Sequence, residues 1–359
     1  MFQPTSILHP VAYPDLRYYP WNLPPSAEAP WNLPNFKFVP FQHNYDWHDP
    51  HWDEFKPNST KSFRPREWLR YKQSLGMVDD DSPNFHNLYN ELFVYNRSLI
   101  HKIKYRDPQF WTADGTPITY YWNTLHVRSH VVGEDEPDKL RAVFGSTKLL
   151  LKAEQHFVWP MQAVYLNNEE GRLLWGREMM RGGWKKLIRE ITQNGEGSPN
   201  TWLSIDWSEF DRRLLHALII IVHSIWRSYF DFSRYQPTSF YPNAQPKDPQ
   251  TIENLWQWMC YSILHTPILL PDGRLFKWLF NGFGSGFQQT QLMGSFVNAI
   301  MILTCLSSLG INIQSDAFWI RIQGDDSLVT FFERVASIYG PLFLEALSSA
   351  ALYYFNGKL

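Results

Sequence analysis

Trp319-Ile320-Arg321-Ile322-Gln323-Gly324-Asp325-Asp326-Ser327-Leu328-Val329-Thr330-Phe331 decides how this chain is read. Bulky and β-branched residues alternate with polar ones on both sides of Gly324-Asp325-Asp326. That two-residue period, broken by a glycine, predicts a β-hairpin with two carboxylates at its tip. Alone the motif is also an ordinary turn, because Gly and Asp are standard turn residues.

Working outward, Thr201 to Ile205 alternates toward a short strand that delivers Asp206 to its C-terminal end. Asp206-Trp207-Ser208-Glu209-Phe210-Asp211 follows, then an apolar run from Leu214 to Trp226 that predicts a helix. The five-residue step lets Asp206 end the strand while Asp211 begins the next turn, facing the same cleft; helix N-capping accounts for the same residues equally simply. Between these segments, Gly282-Phe283-Gly284-Ser285-Gly286 flows into a helix over Gln291 to Leu306. Glycines there let backbone approach a ligand, and Thr290, Gly294 and Asn298 share one helical face. A glycine turn before a core helix is the plainer alternative. The segment is neither a nucleophile elbow, since Phe283 occupies the position needing glycine, nor a P-loop, since the lysine is missing.

In order and spacing, Asp206-x4-Asp211 at a strand end, Ser285-Gly286-x3-Thr290 opening a helix, and Gly324-Asp325-Asp326 on a hairpin resemble palm motifs A, B and C of viral RNA-dependent RNA polymerases. Lys139-Leu140-Arg141-Ala142-Val143 resembles the basic finger motif F. The wording Asp-Trp-Ser-x-Phe-Asp, Thr-Gln-Leu-x-Gly-Ser-Phe-Val-Asn and Gly-Asp-Asp-Ser is most similar to polymerases of partitiviruses, small viruses with segmented double-stranded RNA genomes. The resemblance covers residues 85 to 359. It implies an α+β right-hand polymerase with an antiparallel palm sheet flanked by helices and a helical fingers region. The expected organisation is a Pro- and aromatic-rich arm over residues 1–60 and fingers over 61–200, with the basic motif at 139–152. Palm with motif A follows over 201–232, a fingers insertion over 233–284, and palm with motifs B and C over 285–359. No helical thumb is recognisable before Leu359, so a C-terminally truncated form, inactive as it stands, is the expectation. Whether Lys358 matches the later palm lysine that protonates pyrophosphate stays open.

Nucleotidyl transfer needs carboxylates: two divalent ions about 3.5–4 Å apart stabilise the attacking and leaving oxygens of an in-line displacement. Asp206 and Asp325 are the expected metal ligands and catalytic residues, with Asp326 as a further ligand. Two Mg²⁺ are the implied cofactors, Mn²⁺ an alternative, because hard oxygen donors suit them. The resemblance assigns recognition of the ribose 2′-hydroxyl to Asp211 and Asn298, although Gly294 holds the position where many positive-strand polymerases carry the asparagine. It also places Ser285 and Gly286 beneath template and nucleotide, Thr290 in support of the sugar-reading pair, and Lys139 and Arg141 on the triphosphate. Lys148 and Lys152 extend that basic surface toward RNA. A reverse transcriptase-like enzyme shares the palm but usually has a bulky residue in place of Asp211. A noncatalytic RNA-binding remnant is a further alternative.

Composition bounds the rest. The chain has 359 residues, 44% hydrophobic and 19% charged, which excludes disorder throughout. Its 33 basic and 35 acidic residues leave a net charge of −2, so an RNA partner requires a local basic patch. Lys139 to Glu190 supplies one candidate, with ten Lys or Arg against five Glu, though solvated helix faces have the same composition. Two cysteines, Cys260 and Cys305, exclude a disulfide framework, and no secretory signal is evident at the start. Leu214 to Trp226 is too short to cross a bilayer and Leu292 to Leu306 carries Ser295, Asn298 and Thr304, so buried helices are expected and no membrane. Residues 1–60 hold 11 of the 25 prolines and repeat Trp-Asn-Leu-Pro at Trp21 and Trp31, predicting an extended strap. His43, His48 and His51 among Asp46, Asp49 and Asp53 read as a solvated loop rather than a metal site. The implied partners are template and nascent RNA, ribonucleoside triphosphates and a viral capsid protein, in the host cytoplasm.

Overall fold

The computed structural model describes residues 3–4, 6–40, 62–130, 139–168, 171–175, 177–193, 201–315, 318–331 and 342–359. The His43, His48 and His51 cluster and the loop at 194–200 lie outside them. The fold is α+β and divides into two units. One comprises Met1–Pro10, Phe157–Gln236 and Trp278–Leu359; the other comprises Val11–His156 and Pro237–Lys277. The division departs from the expected boundary at residue 200, for residues 157–193 fall with the first unit.

The first unit is organised by an antiparallel sheet of β3 (Thr201–Ile205), β7 (Asp326–Phe331) and β6 (Phe318–Gln323), with β7 central. Trp, Ile, Leu, Val and Phe at alternate positions favour a pleated, half-buried surface, and Ile320, Ile322 and Val329 are fully buried. Trp319 packs with Leu187 and Ile191 of α4 (Gly183–Gln193). The outer edge of β6 is covered by residues 172–174: Ile322 N–H donates to the Arg172 carbonyl and Leu174 N–H to the Ile322 carbonyl, both at 3.0 Å. Pairing of that kind removes an exposed edge.

The predicted helix at 214–226 begins later and is preceded by a separate turn. Residues Phe210–Arg213 form the short α5, the chain extends at Leu214, and α6 runs His216–Arg227. The break exists because the 214–216 backbone pairs elsewhere: Gly282 N–H donates to the Leu214 carbonyl and His216 N–H to the Phe280 carbonyl, both at 2.9 Å. Helix α8 (Thr290–Ser308) is apolar nearly all round and packs on β6 and α6. It alone among the described helices is long and apolar enough to cross a membrane, yet 67% of that window is buried. Helix α9 (Phe343–Phe355) packs against it.

The second unit combines α1 (Pro65–Ser74), α2 (Tyr89–Lys104) and α7 (Pro249–His265) with a sheet of β1 (Asn123–His130), β2 (Lys139–Gly145), β4 (Ile268–Leu269) and β5 (Leu275–Phe276). The strand order is β2-β1-β4-β5. Asp248 caps α7 through Gln250 N–H at 2.9 Å, with Pro249 at the first helical position. Both tryptophans of the repeated Trp-Asn-Leu-Pro are buried: Trp21 meets Phe85 and Phe93, and Trp31 meets Phe38 and Tyr95. Helix α3 (Lys148–Leu166) contains the boundary between the units.

Candidate active site

The sheet register brings the acidic residues together. Ile205 of β3 pairs with Ser327 of β7, so the next step outward sets Asp206 beside Asp326, and Gln323 pairs with Asp326 across a two-residue turn, Gly324-Asp325. Gly324 has φ +65°, the left-handed conformation that a glycine-first hairpin turn requires. Asp326 is thus the first strand residue and Asp325 the turn residue. Asp206, Asp325 and Asp326 are all exposed. Partial desolvation on this exposed rim raises the Asp326 carboxyl above its usual range, and the negative charges of Asp325 and Asp206 push it further. Mutually repelling carboxylates on one rim are a donor set that suits a hard divalent cation. Among the described residues, no three His, Cys, Asp or Glu side chains close into a cage around one point.

Asp206 and Asp211 point outward because the residues between them anchor inward: Trp207 and Phe210 are buried, while Asp206, Ser208, Glu209 and Asp211 are exposed. Glu209, at φ +57°, turns the chain between the two anchors. Asn298, unlike the exposed Asp211, lies in the interior. It is fully buried, its Nδ2 donating to the Gly324 and Asp325 carbonyls at 3.0 and 2.7 Å and its Oδ1 accepting from Trp207 Nε1 at 2.7 Å. Gly294, four residues earlier, is where α8 lies against the turn: a Cβ there would stand 3.5 Å from the Phe210 ring and 3.7 Å from the Gly324 Cα. Ser295 Oγ accepts from Gly324 N–H at 2.8 Å.

Ser285 is exposed and Gly286 half-buried in the turn before α8. Thr290 Oγ1 donates to the Gly284 and Phe287 carbonyls at 3.1 and 3.0 Å, so its hydroxyl closes this loop. From beneath, His223 Nε2 meets Gln289 Oε1 at 2.7 Å, and burial pushes that imidazole down to about 4, keeping it neutral at ordinary pH.

The sequence pattern of the family described as viral RNA-dependent RNA polymerase matches residues 136–358, which contain every one of these groups. The chain belongs to that family. It is 30% identical over 291 residues to the RNA-directed RNA polymerase of White clover cryptic virus 1, a match covering 76% of this chain and 45% of that protein. It is 25% identical over 368 residues to the RNA-directed RNA polymerase of Atkinsonella hypoxylon virus, covering 91% and 49%. A shorter stretch of 137 residues is 32% identical to the genome polyprotein of Zucchini yellow mosaic virus, 38% of this chain and 4% of that protein. The chain therefore spans about half the length of the two polymerases it matches.

The basic residues divide differently from expectation. Lys139 and Arg141 lie on β2 in the second unit; Arg141 is exposed and pairs in register with Arg128 of β1, whereas the Lys139 side chain lies outside the described residues. Lys148 and Lys152 are not an RNA-facing surface. Lys148 is 7% exposed with its Nζ 5.7 Å from the Phe85 ring, and Lys152 is 0% exposed with its Nζ 3.7 Å from the Phe93 ring. Burial lowers both ammonium groups, and for Lys152 the charges of Arg17 and Lys148 lower it further.

Three contributors were missed from sequence. Trp207 and Ser295 hold the carboxylate-bearing turns, and residues 356–358 lie against the Asp206–Asp211 segment: Ser208 N–H donates to the Lys358 carbonyl at 2.8 Å and Arg213 Nη1 to the Asn356 carbonyl at 3.2 Å. Ser295 sits three residues before Asn298 and so on its helical face, a signal that periodicity carries. The contact at Lys358 has no local signal.

Proposed function

We propose that the chain carries the palm and fingers of an RNA-directed RNA polymerase that extends RNA on an RNA template of a partitivirus-like double-stranded RNA virus. The register that sets Asp206 beside Asp326 and Asp325 carries this reading, because two-metal nucleotidyl transfer needs such carboxylates in one place. Bound there, divalent cations would polarise the α-phosphate and stabilise the attacking and leaving oxygens.

In this reading Asp206, Asp325 and Asp326 hold the cations and Asp211 accepts from the ribose 2′-hydroxyl. Ser285 and Gly286 carry nucleotide and template at the turn before α8. Lys139 and Arg141 meet the triphosphate, the arginine by its planar fork. Lys358, whose backbone is fixed to Ser208, is the residue of the 356–358 segment able to give a proton to the leaving pyrophosphate. Synthesis in the host cytoplasm in association with a capsid completes the proposal.

Primer extension on an RNA template with ribonucleoside triphosphates and Mg²⁺, using the longest reading frame that contains this chain, is the test. Asp325→Asn is expected to lower incorporation by about a thousandfold or more while leaving the circular dichroism spectrum unchanged. Unchanged incorporation would remove the site, and dNTPs used as readily as NTPs would replace the reading with a reverse transcriptase-like one.

A further inference from the structure

The β3–β7 ladder stops at Ile205↔Ser327 and the β6–β7 ladder at Gln323↔Asp326. The register, with Ser327 Oγ donating to the Ile205 carbonyl at 3.3 Å, brings Asp206 and Asp325 to the same end of the sheet, but both lie just beyond the last pairs, so the ladder alone does not set their final separation. A third element spans it. Asn298 of α8 accepts from Trp207, the neighbour of Asp206, and donates to the carbonyl of Asp325 itself and to that of Gly324. Trp207 is pinned in turn by the 356–358 segment, where a Cβ on Gly357 would stand 2.8 Å from its ring.

The chemistry of this bridge is specific to an amide. One side meets an N–H and needs an acceptor; the other meets two carbonyls and needs a donor with two hydrogens. Aspartate would set an oxygen against those carbonyls, and leucine, of similar size, would leave an indole N–H and two carbonyls without partners in a buried place, where such omissions are costly. Ser295, accepting from Gly324 N–H, holds the same turn but does not touch Trp207 in these hydrogen bonds. Among the described residues, Asn298 is thus a side chain that ties the Trp207 and Asp325 segments to each other.

We propose that Asn298 is a positioning residue for the cation site: its amide sets the separation of the Asp206 and Asp325 segments and thereby how tightly their carboxylates hold divalent metal. For what those carboxylates do, the inference rests on the polymerase reading above. Groups that orient ligands from behind a metal site typically change affinity by about 10–100-fold when removed. Trp207, acting through the same amide, belongs to the same device.

Mn²⁺ titration of the 359-residue chain, followed by calorimetry and by the Mn²⁺ electron paramagnetic signal, needs no catalytic activity. Asp325→Asn abolishes specific Mn²⁺ binding. Asn298→Leu, folded by circular dichroism, binds Mn²⁺ about tenfold or more weakly. Trp207→Phe, which keeps an aromatic ring and removes only the indole donor, weakens binding less. Trp207→Phe combined with Asn298→Leu is no weaker than Asn298→Leu alone, because both act through one bridge. Asn298→Asp is at least as weak as Asn298→Leu. An unchanged Mn²⁺ affinity in folded Asn298→Leu with a lowered Tm would make Asn298 a core residue only and overturn the proposal. Should Asn298→Leu fail to fold, unchanged affinity in Trp207→Phe overturns it instead. Wild-type Mn²⁺ binding that Asp325→Asn leaves intact would refute the site itself, a failure of the polymerase reading distinguishable from failure of the bridge.

Discussion

Lys152 Nζ stands 3.7 Å from the centroid of the Phe93 ring, inside the aromatic core of its unit. A lysine expected to face RNA is thereby an internal side chain: ring faces favour its ammonium form, while desolvation holds that form well below its ordinary range. Lys152→Met keeps the unbranched stem and removes the charge. Its stability, from urea unfolding, is expected to equal the wild type or exceed it by about 1 kcal/mol, with RNA affinity unchanged. Arg141→Ala, on exposed β2, is expected instead to weaken RNA binding and lower its salt slope by about 1. A loss of RNA affinity in Lys152→Met would contradict this assignment.

Lys104 makes folding stability pH-dependent. Burial pushes its ammonium down to about 8, and the charge of Arg97 adds to the effect. Its unfolded value is about 10.4, so at pH below the folded value the lysine is protonated in both states and the desolvation cost is fully present. Between the two values the unfolded chain binds more protons, and stability rises with pH. The wild type is expected to gain on the order of 3 kcal/mol relative to Lys104→Met across that window in urea titrations. A constant difference would refute the shift.

Glu190 serves two guanidiniums, Arg177 at 2.6 Å and Arg321 at 2.7 Å, whose side chains are 2% and 8% exposed. Desolvation raises its carboxyl, but the two arginines outweigh this and hold it below the usual range. Glu190→Gln leaves both cations short of a counter-charge and is expected to destabilise by about 3–5 kcal/mol at neutral pH. The carboxylate's contribution is present above its unfolded value and is lost as pH falls through the lower folded one, so the two proteins converge in acid. A difference that persists in acid would point to lost packing instead.

Gly294 tests how closely α8 meets the Gly324 turn. A Cβ there makes ordinary van der Waals contacts, 3.5 Å to Phe210 and 3.7 Å to Gly324. Gly294→Ala is therefore expected to be neutral or stabilising by up to about 1 kcal/mol through helix propensity. Gly294→Val exceeds the space and is expected to destabilise by about 1–3 kcal/mol. Thermal unfolding of the two variants decides; equal values would show that the helix gives way at this contact.

Much of the site was legible because its signals are local. The alternation around Gly324-Asp325-Asp326 announced the hairpin, and the strand ending at Ile205 announced where Asp206 emerges. The break at Leu214 was not legible, because its backbone pairs with residues 280 and 282, far along the chain. Lys148 and Lys152 were misread because a charge count is blind to burial. The hydrogen bonds of Asn298 were not legible for a related reason: helical period gives the face it occupies but not what lies against that face.

Residue order alone determined which carboxylates exist, that they sit at strand ends and on a turn, and that three such segments follow one another along the chain. Those features depend on backbone periodicity and turn chemistry, which act over a few residues. Only tertiary structure decided that Asn298 joins Trp207 to the Asp325 turn, that Lys152 is internal, and that residues 356–358 lie on the Asp206 segment. Hydrogen-bond direction and solvent access depend on what packing brings alongside, and that is settled only when distant segments meet.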